Sequence, residues 1–109
     1  VKFFRESSNL HRVWDSGLID YWNMSYTEYS TWIMSSVTPE HIESWKGTTT
    51  KDWVRESVEM REQCYFTIGD PERMGYRYVY DNTKLLHLRL AQAGVRLSDA
   101  LNQAYGKRD

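Results

Sequence analysis

The sequence predicts an all-α fold, and three observations support that prediction. Apolar residues recur at intervals of three and four along most of the chain, which is the period of an amphipathic helix. Capping residues precede several of these runs, and no stretch shows a convincing β alternation. The 109 residues, 15% of them aromatic, are enough for one domain with a single hydrophobic core.

The first helix is predicted to begin at Leu10, after a short extended or loop-like opening. Ser8 or Asn9 can cap it, because either side chain can accept a hydrogen bond from an early backbone N–H. The helix is expected to run toward Tyr21. Gly17 should weaken it locally by up to about 1 kcal/mol.

Two short helices are predicted next. Ser25 or Thr27 can cap the first of them. The second is capped by Thr38, with Pro39 at its first position and Glu40 near the positive end of its dipole. The residues expected to face inward are Tyr29, Trp32, Ile33, Ile42 and Trp45.

Two longer helices complete the predicted fold. One follows the threonines that end at Thr50, and its packed side is expected to hold Trp53, Val54, Ser57, Met60 and Cys64. Residues 67–75 (TIGDPERMG) give the strongest loop signal, because Pro71 lies between two glycines. From Tyr76 onward one long helix is predicted to continue across Gly94, since an apolar stripe continues on both sides. The stripe consists of Leu86, Leu90, Ala93, Leu97, Leu101 and Ala104.

Charge and cysteine content exclude several classes of protein. The net charge is -1, so there is no basic field for nucleic acid or an anionic membrane, although a bound metal ion could attract a phosphate instead. Cys64 is the only cysteine, which excludes a disulfide within this chain and a cysteine-based zinc cluster. It is either a buried apolar residue or paired with a cysteine in a longer secreted precursor. The sequence predicts neither a signal peptide, a membrane-spanning helix nor a membrane partner.

The motif NLHRVWD, residues 9–15, carries the strongest functional signal. On a helix, His11 and Asp15 lie one turn apart on the same face, where both can bind one ion. Zinc accepts imidazole nitrogen and carboxylate oxygen at about 2 Å. The same spacing also fits an ordinary exposed pair, so the spacing alone leaves both interpretations open.

NLHRVWD resembles a zinc-ligand motif of the zinc-dependent single-strand-specific nucleases and 3'-nucleotidases, the class I nucleases. These share an all-α fold with the zinc-dependent phospholipases C. Every fixed position of the family pattern NLHxxWD is matched. Two later stretches resemble the family in the same order: WVRES at residues 53–57 followed by Tyr65, and AQAGVRL at residues 91–97 followed by residues 101–102.

These two later stretches are interpreted as packing. No catalytic role is assigned to Glu56, Ser57 or Arg96, and Gly94 is expected to let a neighbouring helix approach closely.

The resemblance implies that His11 and Asp15 are zinc ligands and that the complete enzyme binds three zinc ions. It implies an endonuclease and 3'-nucleotidase that hydrolyses single-stranded DNA and RNA, secreted or periplasmic. No side chain is assigned as catalytic, because the attacking water is expected to be activated by zinc. Since the relatives are much longer, residues 1–109 are expected to be the carboxy-terminal segment of one helical zinc phosphoesterase domain, inactive without its upstream part.

Two other functions stay open. One is a phospholipase C-like zinc phosphoesterase, because nothing in the chain distinguishes a nucleic acid from a lipid substrate. The other is a non-catalytic helical interaction module or fragment, in which His11 and Asp15 only pair on the surface.

The remaining candidates are interpreted structurally. His41 is expected to be a solvated first-turn residue, and His87 flanks the leucine stripe of the last helix. Arg12 could approach a phosphate but is expected on a solvated face, and Trp14 could stack on a base but is expected in the core. Asn23 begins an N-glycosylation pattern, which matters only in a eukaryotic secretory route.

Overall fold

The last helix is the element against which the rest of the chain is arranged. The structure is a computed structural model and describes residues 1–106. Its elements are β1 (Lys2–Phe3), β2 (Glu6–Ser7), α1 (Leu10–Arg12), a π-helical turn (Val13–Gly17), α2 (Leu18–Asp20), α3 (Tyr26–Met34), α4 (Pro39–Trp45), α5 (Thr50–Phe66) and α6 (Tyr76–Tyr105). The predicted all-α class is confirmed. None of the described helices combines the length and the apolar character that crossing a bilayer requires.

A two-stranded antiparallel hairpin precedes the helices, where the sequence predicts only an extended or loop-like opening. β1 and β2 are joined by Phe4 and Arg5, which have φ angles of 50° and 70° and form a tight left-handed turn. The backbone N–H of Phe4 also donates to the carbonyl of Met74, at 2.8 Å. The hairpin therefore ties the start of the chain to the loop that precedes α6.

The first helical segment begins at Leu10 as predicted, and Asn9 is its cap: the side chain accepts from the backbone N–H of Arg12 at 2.8 Å. The segment is not one regular helix, however. The N–H of Leu18 donates to the carbonyl of Val13, five residues back, which makes the turn between α1 and α2 π-helical. In a regular α-helix these two side chains would point about 140° apart. In the π-helical turn both are buried, with exposures of 0% and 1%.

The predicted caps of α3 and α4 are confirmed, and the structure adds a cap for α5, for which the sequence predicts none. Ser25 caps α3, Thr38 caps α4 with Pro39 at the first helical position, and Thr49 caps α5. At the N-terminus of each of these helices, the third helical residue donates its backbone N–H to the side chain of the cap residue. The side chain of that third residue in turn accepts the backbone N–H of the cap residue.

Two apolar clusters lie along α6. The first consists of Val13, Leu18, Met74, Tyr78, Val79 and Leu86. The second consists of Trp45, Ala91 and Val95, with Ile33, Val37 and Ile42 packed against it. The first half of α6 therefore supports the segment that carries NLHRVWD, and the second half supports α3 and α4.

The predicted inward faces of α5 and α6 are partly wrong. Val54 is 63% exposed, and Leu97 and Leu101 also face solvent, whereas Arg96 is buried. No atom beyond the adjacent helix backbone lies within 4 Å of the position that a Cβ on Gly94 would take, so no neighbouring helix approaches there. The physical reason is that α5 meets α6 through polar side chains, which an apolar pattern does not show.

Candidate metal centre

The structure brings His11 and Asp15 into direct contact. The Nε2 atom of His11 lies 2.8 Å from Oδ2 of Asp15, and the two side chains are 84% and 68% exposed. Two donors on one tetrahedral zinc ion lie about 3.3 Å apart, given bonds of about 2.0 Å. Two exposed side chains can open by that half ångström without disturbing the core. The pair therefore fits two positions of a zinc site, and its role as ligands stays a prediction.

The donor types match the preferences of zinc, since imidazole nitrogen and carboxylate oxygen are common zinc ligands. Within residues 1–106, no group of three or more His, Cys, Asp or Glu side chains converges on one point. Protein zinc sites use three or four such donors. The described chain thus offers two of the donors that a zinc site requires.

Local packing holds the segment that carries this pair. The hydroxyl of Ser16 donates to the carbonyl of Arg12, at 3.2 Å. At Gly17 the ring of Phe3 comes so close that an added Cβ would lie 3.2 Å from a ring carbon. A side chain here would push against the hairpin, so the glycine allows the hairpin to cover the π-helical turn.

The other residues of the motif lie where the sequence predicts them. Arg12 is exposed. Trp14 is half-buried against the first apolar cluster, as its interpretation as a core residue requires. Its indole N–H donates to the hydroxyl of Tyr78 at 2.9 Å, and the two rings meet edge to face. This hydrogen bond is not predictable from the sequence, because it joins residues 64 positions apart.

The two other histidines have structural partners. His41 is the third residue of α4, accepts the backbone N–H of Thr38 at its Nδ1 and stacks on the ring of Trp45. The Nε2 atom of His87 lies 3.1 Å from the hydroxyl of Tyr29, and burial lowers the pKa of His87. Neither belongs to a convergent metal-binding group among the described residues.

An ion-pair network joins α5 to α6. Arg96 donates two hydrogen bonds to the carboxylate of Glu56, at 2.7 and 2.8 Å, and Arg89 donates a third at 3.0 Å. Arg89 also donates to the hydroxyl of Ser57, and the guanidinium of Arg96 lies over the ring of Trp53. The hydrogen bonds from Arg96 lower the pKa of Glu56 below its ordinary value. The two stretches therefore contact each other through charged side chains, and not through the close helix approach at Gly94 that the sequence predicts.

Two further positions have defined surroundings. Cys64 is half-buried, with its Sγ atom 3.8 Å from the carbonyl of Met60, and burial raises the pKa of its thiol. Asn23 is exposed in a left-handed turn between α2 and α3, with a φ angle of 50°.

Comparison with known proteins identifies the family. The S1/P1 nuclease family profile matches residues 1–106. The chain is 25% identical to Endonuclease 2 of Arabidopsis thaliana over 97% of its own length, and 24% identical to Endonuclease 4 of the same plant over 99%. In both comparisons it spans 41% of the relative's length. No solved structure matches the chain significantly. The chain belongs to the S1/P1 nuclease family.

Proposed function

We propose that the chain forms part of a zinc-dependent nuclease that hydrolyses phosphodiester bonds of single-stranded DNA and RNA, and that His11 and Asp15 bind one of its zinc ions. The observation that carries the proposal is the exposed contact of 2.8 Å between Nε2 of His11 and Oδ2 of Asp15, within NLHRVWD. The relatives are named endonucleases, which supports a nucleic acid as the substrate. We also propose that the complete protein is secreted or periplasmic, as the resemblance implies.

The chain's own residues would bind and orient the ion. His11 would contribute a neutral imidazole nitrogen and Asp15 a carboxylate oxygen, both directly accessible from solvent. When bound, zinc supplies Lewis acidity toward phosphoryl oxygens and toward water. A net charge of -1 is compatible with a phosphate substrate, because the ion provides the local positive charge.

We further propose that the remaining zinc ligands belong to another part of the same polypeptide, which covers an exposed face of this chain. The surface area of 8414 Å² is about 2,000 Å² larger than expected for a compact monomer of 13.0 kDa. α5 contributes to this excess, because none of its 17 residues is fully buried. Stable interfaces bury about 1,200–2,000 Å² in total, so the uncovered area is sufficient for one.

The test is a zinc titration of the chain followed by NMR of the three histidine side chains. Zinc is expected to shift the imidazole signals of His11 and to leave those of His41 and His87 in place. His11→Ala should abolish the response, and Asp15→Asn should weaken it, because an amide is a poorer zinc ligand than a carboxylate. His41→Ala is the matched control, since His41 is also exposed on a short helix.

Equal responses from all three histidines, or none, would contradict the ligand assignment and favour a helical interaction module.

The zinc-loaded sample should also be mixed with single-stranded DNA and with a phosphatidylcholine substrate. The chain alone is expected to cleave neither, because two donors do not complete the site. Zinc-dependent cleavage of the lipid alone would favour the phospholipase C-like function.

A further inference from the structure

Tyr78 joins the metal motif to the core by a hydrogen bond. The side chain is 2% exposed, and its hydroxyl accepts the indole N–H of Trp14 at 2.9 Å. The same hydroxyl donates to the backbone carbonyl of Cys64, also at 2.9 Å. The donated hydrogen bond needs a protonated phenol, and burial raises the pKa of Tyr78 to about 12. The hydroxyl is therefore a fixed point between α5, α6 and the π-helical turn.

The π-helical turn needs such a fixed point. π-helical geometry is rare and occurs mostly as single turns that their surroundings stabilise. Val13 and Leu18 anchor the inner side of the turn, but apolar contacts have no preferred direction. A hydrogen bond is directional. The bond between Trp14 and Tyr78 can therefore set how far the turn rotates about its own axis.

That rotation determines the geometry of the proposed metal pair. His11 lies in α1, before the π-helical turn, whereas Asp15 lies within it and directly follows Trp14. A rotation of the turn would move Asp15 relative to His11. We propose that Tyr78 is a positioning residue, which holds Trp14 and so sets the distance and angle between the His11 and Asp15 donors.

Hydrogen bonds from Asn82 hold the backbone of Tyr78 in place. Its backbone carbonyl accepts from the side chain of Asn82, which is fully buried and donates also to the hydroxyl of Thr67. α6 is thus held against the end of α5 at the level of Tyr78. The hydroxyl of Tyr78 therefore keeps its position if the π-helical turn rotates and Trp14 moves. A positioning residue must be fixed in this way.

The test compares Tyr78→Phe with Tyr80→Phe, a matched control that removes an exposed hydroxyl from the same helix. This inference rests on the proposed zinc site, and zinc binding is measured by the NMR signals of His11. Tyr78→Phe is expected to weaken zinc binding about tenfold, as is typical when a residue that orients metal ligands is lost. It should also shift the indole N–H signal of Trp14. Tyr80→Phe should change neither.

A second control separates positioning from stability. Val79→Ala removes apolar contact from the same cluster without touching the hydrogen bond, so it should lower Tm and leave zinc affinity unchanged. Trp14→Phe should weaken zinc binding as Tyr78→Phe does, and the double variant no further, because both remove one interaction. Unchanged zinc affinity in Tyr78→Phe would overturn the inference while the ligand assignment stands. A wild-type chain whose His11 does not respond to zinc would overturn both.

Discussion

Single residues decide how α5 attaches to α6. Arg96 is 8% exposed, so its charge needs a partner, and the bidentate contact with Glu56 supplies it. The backbone carbonyl of Trp45 lies 3.4 Å from Nε of Arg96, which brings the end of α4 to the same side chain. One arginine of α6 therefore contacts two other helices, α4 and α5.

Replacing Glu56 with Gln is expected to destabilise the chain by about 2–3 kcal/mol, because it leaves the buried Arg96 without a counter-charge. The measurement is urea unfolding. The pKa of Glu56 is lowered in the folded state, so its contribution is present above its ordinary pKa and is lost as the pH falls through the lowered value. The difference between the two proteins should accordingly shrink in acid.

Glu59→Gln is the matched control, because Glu59 is an exposed carboxylate on the same helix. Its effect should stay within about 0.5 kcal/mol. If Glu56→Gln lowers the free energy of unfolding no more than Glu59→Gln does, the ion-pair network adds nothing to stability.

At the scale of elements, local signals in the sequence predict where helices begin. Asn9, Ser25 and Thr38 each stand at the cap position that their side chains favour. The continuity of α6 across Gly94 follows from the apolar stripe on both sides. The π-helical turn is not predictable in this way, since it arises from burial of Val13 and other residues against α6, far along the chain.

Gly94→Ala is expected to stabilise the chain by about 0.5–1 kcal/mol, which corresponds to a rise in Tm of about 4 °C. The glycine lies inside a 30-residue helix, and a Cβ there meets no neighbouring element. The measurement is Tm, from thermal unfolding monitored by circular dichroism.

The opposite sign is expected for Gly17→Ala, where the new Cβ would lie 3.2 Å from the ring of Phe3. The two variants make the same chemical change in a helical turn. If both changed Tm in the same direction, the surroundings of the two glycines would not be what the structure shows.

At the scale of the whole molecule, the chain is extended. Its radius of gyration is 16.0 Å, compared with about 13 Å for a compact chain of this length. Apolar side chains on α5 and α6 stay exposed, among them Val54, Val58 and Phe66. Such a surface is typical of a protein face that another part of a polypeptide covers.

Replacing Val54 with Glu and Val58 with Lys should reduce self-association and binding of the dye ANS. Stability should change by no more than about 0.5 kcal/mol, because both side chains are exposed and the new pair has a favourable helical spacing. Sedimentation velocity and ANS fluorescence measure the effect. Lys51→Glu with Glu59→Lys is the control, since it exchanges charges on the same helix and leaves the valines in place. A large loss of stability in the valine variant would show that the two residues are already packed.

Much of the candidate site follows from a single motif, and the rest does not. The spacing of His11 and Asp15 predicts that they share one face of a helix, because residues four apart lie on adjacent helical turns. The support beneath them depends on Tyr78, which no local pattern connects to Trp14. Further donors for the proposed zinc site cannot be inferred from composition either, since a metal site collects ligands that are distant in sequence.

The π-helical turn also has a consequence for which mutations the gene can tolerate. In most helices, deletion of one codon rotates every later side chain by about 100° and turns the buried face outward. Here the loss of Ser16 would shorten the five-residue turn to an ordinary α-helical one, and Val13 and Leu18 would still face the same way. The gene can therefore lose a codon at this point and still encode the same core.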